Sequence, residues 1–195
     1  MINSLTTVRV AGVTAAVFAA AIFGFFYAWV CSTKWGLDEA DPRVAIEAMQ
    51  AMNASVRNAT FFPAFFGTPL VIALAAGLAW RHGLRRSAGL WASAAAVYLA
   101  GGLVLTMMLN VPMNEALALQ SVPTDIDAAR AIWTDYSAEW QVYNIIRTVA
   151  SGIAVALVAL GLLHTGPCKG GGADYSSTKT SGSTGSTTRS MSAKA

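Results

Sequence analysis

The chain has 195 residues, of which 55% are hydrophobic and only 12% charged, with a mean hydropathy of +0.51. A soluble domain carries about a quarter charged residues, so an ordinary water-soluble protein is excluded as the first expectation. The net charge of +3 is small and segregated by segment, which excludes a nucleic-acid-binding surface as its cause.

Residues 10–30 form the first apolar run, preceded only by Arg9. It is longer than the ~7–15 residues of a cleaved signal core. It ends in Phe23, Phe25, Phe26, Tyr27 and Trp29, which read as the interfacial aromatic belt of a retained span. Cys31 follows and reads as an apolar packing residue. The other cysteine, Cys168, falls on the opposite side of the membrane, so the two cannot be bridged.

Asp41-Pro42 is a helix start: an aspartate caps free amides and proline suits the first helical position. Residues 45–58 follow without a breaker until Pro63. The expectation is a helix running on into the second span, 61–80, and bending at Pro63 and at Gly67-Thr68-Pro69. Asp38, Glu39, Asp41 and Glu47 read as solvated or capping charges. Arg81, His82, Gly83, Leu84, Arg85 and Arg86 make a short basic turn to the third span, 90–109, with Trp80 and Trp91 as interface anchors.

Pro112 disfavours helix at Val111, so the third span is expected to end there, leaving Asn110 and Asn114 near open backbone carbonyls. Thr124 is the expected cap of a second external helix, which continues through Trp133 and Tyr136 into the fourth span, 145–163. Each span approaches the ~20 residues that cross ~30 Å of hydrocarbon. Backbone amides in lipid must be paired within the segment, so the spans are helices. The predicted fold class is therefore an all-α integral membrane protein: a four-transmembrane-helix bundle over residues 1–165, with two extramembrane helical segments on the outer side. Residues 166–195 are rich in Gly, Ser, Thr and Lys and are expected to be a disordered tail.

Three arginines in one short turn place that turn in the cytoplasm. Both termini then lie inside, and every carboxylate except Asp174 lies outside. A multi-pass protein of the plasma (inner) membrane is expected, with the lipid bilayer as its first partner and no nucleic acid.

The polar residues at the outer ends of the spans carry the functional expectation. Ile46, Met49, Asn53 and Arg57 share one helical face, as do Trp133, Tyr136, Trp140, Asn144, Arg147 and Ser151. Asn53, Arg57, Asn110, Asn114, Trp133, Trp140, Asn144 and Arg147 are the candidate ligand-binding set. Amides and guanidinium groups direct donors, and indoles supply flat walls, which suits a small, planar, oxygen-bearing aromatic ligand. The competing reading is that the same residues anchor the interface and bridge helices. No catalytic residue stands out: Glu47 and Tyr136 are the bases within reach of the outer side. No metal site is expected, because His82 and His164 fall at the cytoplasmic side without carboxylates beside them. No Cys-x-x-Cys, His-Glu-x-x-His, Walker or dinucleotide pattern occurs.

Four stretches carry a resemblance. They are Trp35-Gly36-Leu37-Asp38 with Asp41-Pro42-Arg43; Ala48-Met49-Gln50-Ala51-Met52-Asn53 with Arg57-Asn58; Asn110-Val111-Pro112-Met113-Asn114; and Trp140, Asn144 and Arg147. Together the chain resembles the anthrone oxygenase-like family of small membrane proteins over residues 10–164. The resemblance implies a four-span bundle. It also implies oxidation of an anthrone-like substrate to an anthraquinone without an evident metal or flavin, so no cofactor is expected. Under it, Arg57 and Arg147 hold an oxyanion, Asn53, Asn110, Asn114 and Asn144 position it, and Trp133 and Trp140 pack the rings. The rival expectations are a non-enzymatic accessory subunit that docks a membrane partner or forms a homo-oligomer, and a carrier of a small lipophilic molecule. A continuous cavity favours an enzyme or a carrier; mutual Asn–Arg bonding without a void favours the structural role.

Overall fold

The computed structural model describes residues 2–166. The expected tail beyond Gly166, and Cys168 with it, lies outside the described residues. Seven α-helices follow in chain order: α1 Ile2–Ala28, α2 Lys34–Glu39, α3 Pro42–Ser55, α4 Phe61–Arg81, α5 Arg85–Tyr98, α6 Val111–Ala118 and α7 Ile126–Leu163. Among the described residues there is no strand. Short π-helical stretches, Trp29–Thr33, Leu99–Val104 and Thr106–Asn110, splice α1 to α2 and α5 to α6.

Among the described residues, four helices are long and apolar enough to cross a membrane: Ser4–Glu39, Phe61–Arg81, Arg85–Ala118 and Ile126–Leu163. α1 packs on α4 and α7, and α5 packs on the same two helices from the other side. The result is a closed four-membered ring with alternating helix direction. Its surface is studded with exposed Val10, Val13, Val17, Leu70, Leu74, Val149 and Leu160. Apolar side chains facing outward while small Ala15, Ala19, Ala75, Ala79, Ala94 and Ala154 face inward is the pattern of helices that pack in lipid.

Three buried polar side chains inside the ring are paired with the backbone of a neighbouring helix. Pro69 lacks the N–H that would otherwise bond the Phe65 carbonyl, and the Tyr98 hydroxyl donates to that carbonyl at 2.9 Å. α4 therefore continues through Pro69 to Arg81. The Trp91 indole donates to the Val158 carbonyl at 3.0 Å, and the Ser87 hydroxyl to the Gly161 carbonyl at 2.9 Å. Trp91 is thus no interface anchor: it is 0% exposed. Trp80 is exposed, with the Arg85 guanidinium 3.6 Å above its ring. The turn between them needs Gly83, whose φ of 76° is the left-handed conformation that glycine tolerates best.

Three of the ring's helices outrun the membrane. α7 has 38 residues, about 57 Å at 1.5 Å per residue, nearly twice the ~30 Å hydrocarbon thickness. At the end away from the basic turn, α7 meets α3 and α6 around Ala45, Ile46, Met49, Leu117, Ala129, Trp133, Tyr136 and Trp140. This second core caps the bundle.

Several local expectations change. Helix does not stop at Val111: that residue has φ −64° and ψ −49°, and α6 carries on through Pro112. The preceding π turn widens the coil and shifts its bonding by one residue, which relieves the clash of a proline ring with the turn before it. Conversely, α3 does not run into α4; residues 56–60 interrupt them, and the Asn58 side chain accepts from the Thr60 and Phe61 amides at 2.9 Å. Asp125, not Thr124, caps α7, accepting from the Ala128 amide at 2.8 Å. Cys31 is exposed rather than packed.

Asp41 caps α3 as its position predicts, accepting from the Arg43 amide at 2.9 Å with Pro42 at the first helical position. The Arg43 side chain also donates to this carboxylate, at 2.6 Å and 3.0 Å. Those side-chain bonds, with the amide bond next, hold the Asp41 carboxyl down at about 2, against an ordinary value of 3.8. A depressed pKa means that the stabilisation is complete above the ordinary value and is lost as pH falls from about 4 to about 2. Protection of the amides at the start of α3, relative to their intrinsic exchange rate at each pH, should therefore fall over that window. Asp41→Ala should show the lower protection already at neutral pH, with no further step in acid.

Candidate functional site

The site lies where the membrane bundle meets its cap. A cavity of about 690 Å³ opens between α1, α4, the Thr106–Asn110 turn and α7, with the α3–α4 turn across its mouth. Its walls are largely aromatic: Phe25, Phe26, Trp29, Phe61, Phe62, Phe65, Phe66 and Trp140 line it. The stretch expected to be an interfacial belt thus divides. Phe26 is buried against Arg147 and Trp29 packs on Trp140, with centroids 5.0 Å apart, while Tyr27 stays exposed.

Arg147 reaches the cavity from α7 and is 5% exposed. It donates to Asn144 Oδ1 at 2.9 Å and to Thr106 Oγ1 at 3.4 Å. Its guanidinium carbon lies 4.7 Å from the Phe26 ring centroid and 5.2 Å from that of Trp140. Nε has no hydrogen-bond partner. The four ion pairs among the described residues join Lys34 to Asp38, Arg43 to Asp41, Arg57 to Glu115 and Arg130 to Asp127, so no carboxylate neutralises Arg147. A cation in low dielectric without a counter-charge is expensive.

Asn144 is fully buried and does not line the cavity; it donates to the Phe26 carbonyl at 3.5 Å and accepts from Arg147. These bonds restrain the guanidinium. Ser151 and Thr148 bond back to the α7 backbone one turn below. All six members of the α7 stripe are buried, so that helical face is continuous from cap to membrane.

The other candidates separate by depth. Asn53, Arg57, Asn114, Trp140 and Arg147 line the cavity; Asn110, Trp133 and Asn144 do not. Asn110 is 0% exposed, and neither its amide oxygen nor its nitrogen has a partner, a costly arrangement in a helix interior. Trp133 belongs to a separate polar cleft and donates to Asp38 Oδ1 at 3.1 Å. Asp38 is therefore not simply solvated: it also pairs with Lys34 and latches α2 to α7. Arg57 does not share the α3 face with Asn53, because α3 ends at Ser55; it sits exposed in the following turn at the cavity mouth.

Of the two bases considered from the sequence, Glu47 is exposed and outside the cavity. The Tyr136 hydroxyl is already committed, donating to Asn114 Oδ1 at 2.8 Å and accepting from Asn53 Nδ2 at 3.4 Å. The carboxylate that does line the cavity is Glu115, whose Oε1 accepts from Arg57 at 3.3 Å. Sequence reasoning passed over it because the helix was expected to stop before it. Its position directly after Asn114 was the available signal. Among the described residues, no three His, Cys, Asp or Glu side chains gather to hold a metal ion.

Residues 56–157 match the family model described as anthrone oxygenase. That stretch holds α4, α5, α6, α7 as far as Leu157 and most of the cavity wall. No curated protein and no solved structure matches the chain.

Proposed function

Because this chain belongs to the anthrone oxygenase family, we propose that it oxidises a flat, phenolic, anthrone-like substrate inside the bilayer. The observation that carries the reading is Arg147, a buried cation without a carboxylate, facing a cavity walled by aromatic rings. A bound oxyanion would supply the missing counter-charge.

The chemistry needs little from the protein. A base removes one proton from the methylene carbon opposite the anthrone carbonyl, and the negative charge moves onto that oxygen. Arg147 stabilises this enolate, with Thr106 and Asn144 fixing the guanidinium. Glu115, the carboxylate at the cavity wall, takes the proton. The carbanion then gives an electron pair to dioxygen, forming a carbon–oxygen bond and, after protonation, a hydroperoxide. Loss of water breaks the oxygen–oxygen bond and removes the second methylene hydrogen, leaving a carbonyl. One dioxygen thus converts one methylene to one carbonyl and one water. The basic turn at Arg81, Arg85 and Arg86 faces the cytoplasm of a plasma membrane in this reading, so the cavity opens toward the outer leaflet.

The test is oxygen uptake by the purified protein with a hydroxylated anthrone. Uptake should exceed the spontaneous rate, and Glu115→Gln should lower the enzymatic part by about 10²-fold, the usual worth of a general base. Binding without uptake above background would replace the oxygenase with a carrier of flat lipophilic molecules, which the same cavity suits.

A further inference from the structure

The wall of the cavity beside Trp140 carries a hydrogen-bonding group whose direction is fixed. The Trp140 indole Nε1 donates to Asn114 Oδ1 at 3.0 Å, and the Tyr136 hydroxyl donates to the same atom at 2.8 Å. An indole nitrogen can only donate, so the amide atom facing it must be the oxygen, and the amide cannot be flipped. Tyr136 in turn accepts from Asn53 Nδ2, which commits its proton to Asn114. Two donors from α7 therefore saturate Asn114 Oδ1 and turn the NH₂ group of this side chain the other way.

That NH₂ group has no protein partner, yet it is not among the sealed-in unpaired atoms. Asn114 itself lines the cavity. The open donor thus belongs to a residue that lines the same space as Arg147. Both groups touch the same indole: Asn114 bonds its nitrogen, and the Arg147 guanidinium lies over its ring. The two meet different parts of that indole and differ in kind, one a cation and one a neutral donor.

We infer that the Asn114 amide donates to a second, neutral oxygen of the bound molecule, so that the site selects flat molecules bearing oxygen at two separated positions. This rests on the proposed reading that Arg147 takes the first, anionic oxygen. Asn114 is then a specificity-determining residue: it accepts a carbonyl or phenol oxygen and is left unpaired by a hydrocarbon edge. The discrimination comes from the donor a mono-oxygenated ligand leaves unsatisfied.

Two unreactive probes separate the contributions: 2-hydroxyanthraquinone, with a phenol and two carbonyls, and 2-hydroxyanthracene, with the phenol alone. Their dissociation constants are measured by tryptophan fluorescence quenching on the full chain in lipid nanodiscs. Asn114→Asp keeps an acceptor for Tyr136 and Trp140 but turns an oxygen toward the cavity. Readings are taken at a pH above the ionisation of both phenols, so that the added charge bears on two phenolates alike and the ratio of the two constants is the readout. That ratio should shift about fivefold or more against the anthraquinone, the worth of one lost hydrogen bond with an unpaired acceptor. Asn114→Ala gives the same ratio test if the aspartate variant does not assemble. An unchanged ratio, with Arg147→Gln still weakening both probes, overturns the role of Asn114 and leaves the Arg147 site standing. If neither probe binds the wild type, or Arg147→Gln changes nothing, the site reading fails and this inference fails with it.

Discussion

Arg147→Met is expected to raise the thermal midpoint of the purified protein while sharply lowering the proposed turnover of a hydroxylated anthrone. The guanidinium is 5% exposed, has no carboxylate partner, and leaves Nε unpaired. Burying a charge in a membrane helix costs about 2.5–3.5 kcal/mol on insertion scales. Its returns are two hydrogen bonds, to Asn144 and Thr106, and two aromatic contacts. Methionine fills a similar volume, packs on Phe26 and Trp140, and carries no desolvation cost. Thr106 keeps its bond to the Gly102 carbonyl at 2.6 Å, so only the Asn144 oxygen is orphaned. Set against the orphaned Asn144 oxygen, which costs ~1–3 kcal/mol, the relief of the buried charge should leave a net gain of ~0–2 kcal/mol. The catalytic loss should reach about 10²–10³-fold, as when one oxyanion donor is removed. A lower midpoint would assign Arg147 to the scaffold and support the structural reading of the polar stripe.

The largest loss of stability should come from the opposite half of the bundle. A Cβ added at Gly161 would stand 2.1 Å from Trp91 Nε1 and 2.5 Å from its Cδ1. A Cβ added at Gly12 of α1 would stand 2.7 Å from the same indole. Trp91 thus fills a notch between two glycines, and its bond to the Val158 carbonyl fixes the ring in place. Neither neighbour is the free end of a flexible chain, so Gly161→Ala must push the indole out or part α5 from α7. Overpacking of this kind costs about 1–3 kcal/mol and occasionally more, and this site should lie at the upper end because a buried hydrogen bond breaks as well. Thermal unfolding in detergent measures it. The cavity lies toward the other end, so the folded fraction should bind flat ligands with unchanged affinity. A midpoint within about 1 °C of wild type, less than the shift expected from ~1 kcal/mol in a domain this size, would mean that the notch has room that the glycines do not require.

The four spans could be read from the chain because hydropathy is a local property: a run of apolar residues of membrane length has no other way to satisfy its backbone. The Asp41-Pro42 start of α3 and the buried face of α7 were legible for the same reason, since capping and the 3.6-residue period act within a few residues. The site was legible only in part. The spacing of Trp133, Tyr136, Trp140, Asn144 and Arg147 placed them on one face, but not at one depth. Trp133 ended in the cap beside Asp38, while Arg147 ended among the rings of α1 and α4. Phe26 and Trp29 resembled lipid anchors because aromatic residues near a span's end look alike whether they face headgroups or a neighbouring helix.

What the sequence by itself determined is the number of spans, their approximate limits and the identity of the one helix that carries the arginine. Tertiary structure decided which residues meet. The π turns carry helix past Pro112 and bring Asn114 and Glu115 to the cavity. Arg57 reaches its mouth from a turn rather than a helix face. Trp91 moves from the interface to the core. Each of these depends on the rotation of one helix about its axis relative to another, and that rotation is set by side-chain packing across the bundle, which no local period encodes.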